Sequence, residues 1–152
     1  MGYISELRME LGSRPLIVAG SGVIVVNDKN EILLGKRTDN GYWDYPAGSM
    51  EIGESFEECA RREVLEETGL YCDDLEFLMN LSGKESFYEY PNGDKVYLTA
   101  MIYICRDYGH WNLRGSIEYS KDEQNSSSDE HSDLLLYDEY SHTVWITWGE
   151  NW

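Results

Sequence analysis

The sequence predicts a mixed α/β fold, and three local signals carry that prediction. Residues 55–69 read as one capped amphipathic helix. The segments 16–26 and 95–105 read as long apolar strands, and Pro91-Asn92-Gly93-Asp94 marks a tight hairpin before the second of them.

In chain order, Leu16 to Val26 is aliphatic but interrupted by Gly20, Ser21 and Gly22, so it reads as one strand or as two joined at a bulge. Asn27-Asp28-Lys29-Asn30 is a turn, and Glu31 to Gly35 is then the returning strand of a hairpin. Pro46, Gly48 and Gly53 mark an irregular loop over residues 45–54.

The helix follows. Ser55 is a good N-cap and Glu58 stands three residues on, which makes a capping box. Glu57 and Glu58 suit the positive end of the helix dipole. Phe56, Ala60 and Val64 form an apolar stripe that faces a core, and Gly69 suits the left-handed position just past the helix.

Leu75 to Leu81 is the next strand, and Lys84 to Tyr90 pairs with Lys95 to Cys105 across the hairpin. Val96, Leu98, Ala100, Ile102 and Ile104 line one side of the last strand. Tyr97, Thr99, Met101, Tyr103 and Cys105 line the other. Both sides are mostly apolar, which predicts cover on both faces. Beyond it the chain changes character. Residues 122–133 are acidic, serine-rich and without periodicity, and read as a loop or a disordered stretch. Leu134 to Tyr137 and Val144 to Trp148 are apolar islands whose choice between pairing as strands, packing on a second copy and a divergent end the sequence leaves open.

Composition sets limits. A chain of 152 residues with 41% apolar content fits one domain over residues 1–152, with an atypical tail at about 115–152. Formal charge is −17, which argues against an extended DNA or RNA footprint, because such affinity rests on neutralising phosphates. A nucleotide is not excluded, since its charge can arrive on a metal ion. Cys59, Cys72 and Cys105 show no paired spacing and read as buried thiols of a reducing, cytoplasmic compartment. No apolar run approaches the ~20 residues of a membrane span, and no signal peptide is evident at the N-terminus.

The chemistry gathers on the helix. Glu63, Glu66 and Glu67 stand at i, i+3 and i+4, one face of a helix, where like charges repel. A divalent cation is the simplest way to offset them. Mg²⁺ takes oxygen ligands, often one or two carboxylates together with substrate phosphates, and the glycine loop offers backbone carbonyls beside the helix. Arg62 reaches neighbouring carboxylates and holds their rotamers.

These residues resemble the signature of the Nudix hydrolases, Gx5Ex7REUxEExGU with U aliphatic, at every specified position: Gly48, Glu54, Arg62, Glu63, Val64, Glu66, Glu67, Gly69 and Leu70. Residues 33–37 and 41–46 are also similar to the strand and lead-in that precede that signature, and the resemblance runs from about Arg14 to Arg106. It implies an α/β/α sandwich around a mixed β-sheet. It implies metal-dependent hydrolysis of the pyrophosphate linkage of a nucleoside diphosphate derivative, either a nucleoside triphosphate or an ADP-ribose-like nucleotide. The cofactor would be Mg²⁺ or Mn²⁺.

Carried onto this chain, the resemblance makes Glu63, Glu66 and Glu67 side-chain ligands, completed by the backbone carbonyl of Ala47 or Gly48. Ala47 stands where a glycine is common, a change that a carbonyl ligand tolerates. Glu54 and Arg62 orient the ligands. The general base is a glutamate, with Glu63 preferred, then Glu66, then Glu118; Glu123 is a further acidic position downstream. The rival reading is a nucleotide sensor that binds without cleaving, but such proteins usually lose box glutamates and this chain keeps all of them.

Lys36 and Arg37 are candidates to meet a phosphate. Trp43, Phe87, Tyr88 and Tyr90 are aromatics able to stack on a base, of which Trp43 and Tyr88 are taken as the substrate contacts. His110 and His131 read as surface histidines. The partner is a small nucleotide, with no long nucleic acid and no membrane, and aromatics in the tail hint at a homodimer.

Overall fold

A computed structural model describes residues 2–38, 40–111, 117–118 and 143–147, with the backbone alone for 110–111, 117–118 and 143–147. The fold is mixed α/β. Helix α1 spans Tyr3–Leu11 and α2 spans Phe56–Thr68. The strands are β1 Leu16–Val25, β2 Glu31–Lys36, β3 Trp43–Asp44, β4 Ala47–Ser49, β5 Leu70–Cys72, β6 Glu76–Leu81, β7 Phe87–Glu89, β8 Lys95–Cys105, β9 Tyr108–Trp111, β10 Ile117–Glu118 and β11 Thr143–Thr147.

The central sheet is mixed. Its order is β4-β1-β8-β6, and β7 also pairs with β8. Strands β1 and β8 run parallel in unbroken register from Leu16 opposite Val96 to Val25 opposite Cys105. The other pairs in this sheet are antiparallel. Two smaller sheets flank it, β10-β9-β5 and β11-β2-β3.

The core lies between α2 and one end of the central sheet. Val23, Val25, Ala60, Val64, Cys72, Tyr103 and Cys105 are fully or almost fully buried together, and Phe56 packs against them. The expected stripe of Phe56, Ala60 and Val64 is therefore the buried face of α2. All three cysteines are buried and none is in a disulfide.

The structure decides one open expectation and corrects three others. The segment 16–25 takes the first of its two readings, one continuous strand with no bulge, because parallel pairing with β8 spans its whole length. The turn at Asn27 forms as expected, with its side-chain oxygen accepting from the Lys29 and Glu31 amides at 3.0 and 2.9 Å. The hairpin ladder beyond it does not form. A single bridge joins Val26 to Ile32, and β2 leaves to pair with β3 and β11.

The two-sided cover predicted for β8 holds only in part. Ile102, Tyr103 and Cys105 are buried, but Tyr97 and Thr99 are exposed. A helix of 13 residues extends about 20 Å and cannot cover a strand of 11 residues, which extends about 36 Å. Finally, the stretch 84–90 is a strand only over β7, since Lys84–Ser86 forms a 3₁₀ turn.

Helix α1 has no counterpart among the sequence signals. It buries no residue, and its N-cap Gly2 offers no side-chain cap. It is held instead by polar contacts. Arg8 donates to the carbonyls of Gly12, Arg14 and Lys95 at 3.0, 2.6 and 2.7 Å. The Tyr3 amide donates to Glu51 at 3.1 Å. Residues 122–133 and 134–137 lie outside the described residues, while 143–147 pairs along β2. Among the described residues no helix is long and apolar enough to cross a membrane.

Candidate active site

Helix α2 begins where the sequence places it. Ser55 accepts from the Glu58 amide at 3.1 Å, and Glu58 accepts from the Ser55 amide at 2.7 Å, so both arms of the capping box are made. Gly69 ends the helix at φ 72°, a conformation that favours glycine. These two ends fix the rotation of α2, which turns Ala60 and Val64 inward and the glutamates toward the loop before the helix.

Arg62 is the hub. Its guanidinium grips Glu54 with two bonds, at 2.6 and 3.0 Å, a bidentate geometry that adds direction as well as energy. It also donates to Glu63 at 2.6 Å, to the Ser49 carbonyl at 3.0 Å and to Glu66 at 3.3 Å. Glu54 in addition accepts from the Glu51 amide at 2.8 Å. These contacts lower the Glu54 carboxyl below the ordinary range, the Arg62 bond first.

The three helix glutamates fare differently. Glu63 is the most enclosed, with 12% of its side chain exposed, against 59% for Glu66. Burial raises the Glu63 carboxyl despite Arg62. Its carboxylate lies against the Cα of Gly48, in the space a Cβ there would take. Glu67 accepts from the Ala47 amide and faces Glu63, Asp44 and Arg37. Burial of its carboxyl, then the charge of Glu63, pushes Glu67 up to about 7. The residue as a whole keeps solvent-exposed surface, so water moderates the size of that effect and the direction is what stands.

Arg62 thus reaches its neighbouring carboxylates as the sequence suggests. It neutralises part of the clustered charge by direct contact with Glu54, Glu63 and Glu66. Among the described residues no three carboxylates converge on one point. Even so the donor set suits a hard divalent ion: every side-chain donor is a carboxylate oxygen, and two of those carboxyls are held above their ordinary range. The Gly48 carbonyl accepts from the Cys59 thiol at 3.7 Å, and burial pushes that thiol up to about 11. Ala47 meets the cluster through its N–H, which is taken by Glu67.

A cavity of about 650 Å³ opens beside the cluster. Glu67, Ala47 and Gly48 line one part of it, next to Lys36, Arg37 and Asp44. Leu81, Tyr90, Leu98 and Ile102 line another part. The cavity is thus lined by both charged and apolar side chains, and by strand order Ala47 and Gly48 on β4 and Leu81 on β6 belong to opposite edges of the central sheet. Its floor is low because Gly20 and Ala100, neighbours across the β1–β8 pair, carry little or no side chain.

Of the four residues picked for substrate contact, Lys36 and Arg37 line the cavity and Trp43 and Tyr88 do not. Trp43 lies under the Lys36 ammonium, 5.8 Å from nitrogen to ring centroid. Tyr88 stands behind Tyr90, the member of the aromatic set that does line the cavity. Residue alternation along the hairpin would have put Tyr88 and Tyr90 on one side, but not which of them reached in. The backbone of Glu118 pairs with that of His110, and Glu123 and His131 lie outside the described residues.

Residues 17–145 match the family model of the NUDIX domain. A Bacillus subtilis (strain 168) protein named "Putative 8-oxo-dGTP diphosphatase" is 46% identical over 72 residues, covering 47% of this chain. The match spans 44% of that relative, so the chain accounts for less than half of its length. A MutT protein from Methanosarcina mazei Go1 superposes with a TM-score of 0.53 at 21% identity, over 88% of this chain and 79% of that one. A MutT protein from Bacillus halodurans gives 0.51 at 24% identity, over 68% of each chain. Likenesses at that identity are likenesses of fold.

Proposed function

Because the chain belongs to the Nudix family, we propose that it is a pyrophosphohydrolase that cleaves the phosphoanhydride of a nucleoside diphosphate derivative. Nucleoside triphosphates are the preferred class, in keeping with the name carried by the Bacillus subtilis relative; ADP-ribose-like nucleotides are the second class. The observation that carries the reading is the meeting of a complete acidic box with a cavity lined by both charged and apolar side chains.

In this reading Glu63, Glu66 and Glu67 would hold Mg²⁺ or Mn²⁺ together with a carbonyl of the 47–48 segment. Held there, such a cation would supply a water of lowered pKa and a screen for charge on the leaving phosphate. The protein's own part is positioning. Arg62 ties Glu63 and Glu66 to Glu54 and to the Ser49 carbonyl, so that the glutamates enter the reaction already oriented. Lys36 and Arg37 place positive charge on the wall shared with Glu67, where phosphate oxygens would lie. Orientation and electrostatics supply most of the acceleration in phosphoryl chemistry, so a preset shell of this kind is the main contribution required.

The test is a panel of nucleoside diphosphate derivatives and triphosphates with Mg²⁺ or Mn²⁺, read as released phosphate or pyrophosphate. Turnover that is lost in Glu67→Gln and Glu66→Gln, with both variants folded, is the expected result. Full turnover in either variant would defeat the ligand assignment. Tight nucleotide binding without turnover across the panel would make the protein a sensor.

A further inference from the structure

The turn after β2 touches strand β7 through Asn40 and Tyr88, beside Tyr90. Asn40, in the turn after β2, donates from its side-chain amide to the Tyr88 hydroxyl at 3.2 Å. The same carboxamide accepts from the Tyr42 backbone N–H at 2.9 Å, so both of its ends are fixed. Tyr88 stands edge-on to Tyr90, with ring centroids 4.9 Å apart and planes at 87°. Tyr90 is the member of this trio that lines the cavity.

The backbone beneath Tyr90 is pinned as well. Its N–H donates to the Asp94 carbonyl, and its carbonyl accepts from the Gly93 N–H, both at 2.8 Å. Asn92 braces the same turn by donating to the Asp94 carboxylate and accepting from the Asp94 amide, each at 3.0 Å. Arg8 of α1 then meets Asp94 at 3.6 Å and the Lys95 carbonyl at 2.7 Å. Helix α1, which buries nothing of its own, thus buttresses the hairpin that carries Tyr90.

We propose that Tyr90 is the wall against which the nucleobase of the substrate packs, and that Asn40 and Tyr88 are positioning residues that hold it in place. The inference rests on the nucleotide reading given above. The base is the flat, apolar part of a nucleotide. Leu81, Leu98 and Ile102, which line the cavity with Tyr90, stand on β6 and β8 of the central sheet, whereas Lys36 stands on β2 of another sheet and Glu67 on α2. An aromatic ring already locked by an edge-on neighbour and a pinned backbone loses little freedom on binding, which is what makes such a wall effective. Trp43, the more obvious stacking residue in the sequence, is engaged by Lys36 instead.

The experiment compares a nucleoside triphosphate with inorganic tripolyphosphate, which has the phosphates and no base. For wild type, Tyr90→Leu, Tyr90→Phe, Tyr88→Phe and Asn40→Ala, kcat and KM are measured with the nucleotide. Dissociation constants are measured by calorimetry for tripolyphosphate and for a nonhydrolysable analogue of the nucleotide. Tyr90→Leu should weaken the nucleotide about tenfold, the scale of one base–aromatic contact, and leave tripolyphosphate unchanged. Tyr90→Phe should behave as wild type. Tyr88→Phe and Asn40→Ala should raise KM by a smaller factor at unchanged kcat, and should not add in the double variant because they break one shared hydrogen bond.

Equal weakening of both ligands in Tyr90→Leu, or no weakening of the nucleotide, overturns the proposal. A wild type that binds nucleotides without cleaving them sinks the hydrolase reading alone, and the two dissociation constants still decide the wall. A wild type that binds no nucleotide overturns both.

Discussion

Glu63 lies in the space that a side chain at residue 48 would need. Its carboxylate rests against the Cα of Gly48 and is tied from the other side to Arg62 at 2.6 Å. The atoms that a Cβ would meet are the far end of a flexible side chain, and Gly48 has no positive φ. Gly48→Ala should therefore cost little stability, within about 1 kcal/mol, because the carboxylate can swing aside. It should cost most of the activity, because the displaced carboxylate leaves Arg62 and the loop. Chemical denaturation and a turnover assay on the same preparation check the split; equal loss of both, or activity retained, would count against it.

Gly20 makes the opposite case one residue across the β1–β4 pair. A Cβ there would meet the backbone carbonyl of Gly48, which cannot rotate out of the way. Gly20→Ala must push β4 from β1, and so should destabilise the fold by about 1–3 kcal/mol, the usual range for overpacking a tight site. The prediction is a clear fall in denaturation midpoint in Gly20→Ala and almost none in Gly48→Ala. The reverse order would show that the loop, and not the glutamate, is the yielding element.

This contrast shows what a sequence can and cannot make legible. The box was readable because its signals are local: Ser55 and Glu58 cap within one turn, Gly69 stops the helix, and Arg62 sits one residue from Glu63 and eight from Glu54. The Asn92-Gly93 hairpin was readable for the same reason. What failed was long-range. The run 31–35 looks like the return arm of a hairpin, yet β2 finds its partner in β11, more than a hundred residues on. Helix α1 carries Ile4, Leu7 and Leu11 at helical spacing yet buries none of them, and polar bonds from Arg8 hold it instead. Trp43, Tyr88 and Tyr90 are equivalent in sequence, and only long-range packing, with Asn40 on Tyr88 and Tyr88 on Tyr90, leaves Tyr90 to line the cavity.

Two glutamates of the site give stability opposite dependences on pH. Glu54 is lowered by Arg62, so the folded state binds its proton less readily than the unfolded chain does. Its contribution is present above the ordinary glutamate range and is lost as pH falls through its lowered folded value. Glu67 is raised to about 7 by burial and by Glu63, so the folded state holds its proton more readily. That contribution is present below the ordinary range, near pH 4, and is lost as pH rises through about 7. Without divalent cations the protein should therefore lose stability between about pH 4 and pH 7, the interval bounded by those two values. Glu67→Gln should reduce that loss, leaving the part that the raised Glu63 carboxyl contributes and the acid limb set by Glu54, and Mg²⁺ or Mn²⁺ should offset it in wild type by favouring the ionised carboxylates. Urea midpoints across the interval, with a chelator and then with the metal, decide the matter: a Glu67→Gln profile parallel to that of wild type would mean that Glu67 ionises as freely in the fold as in water.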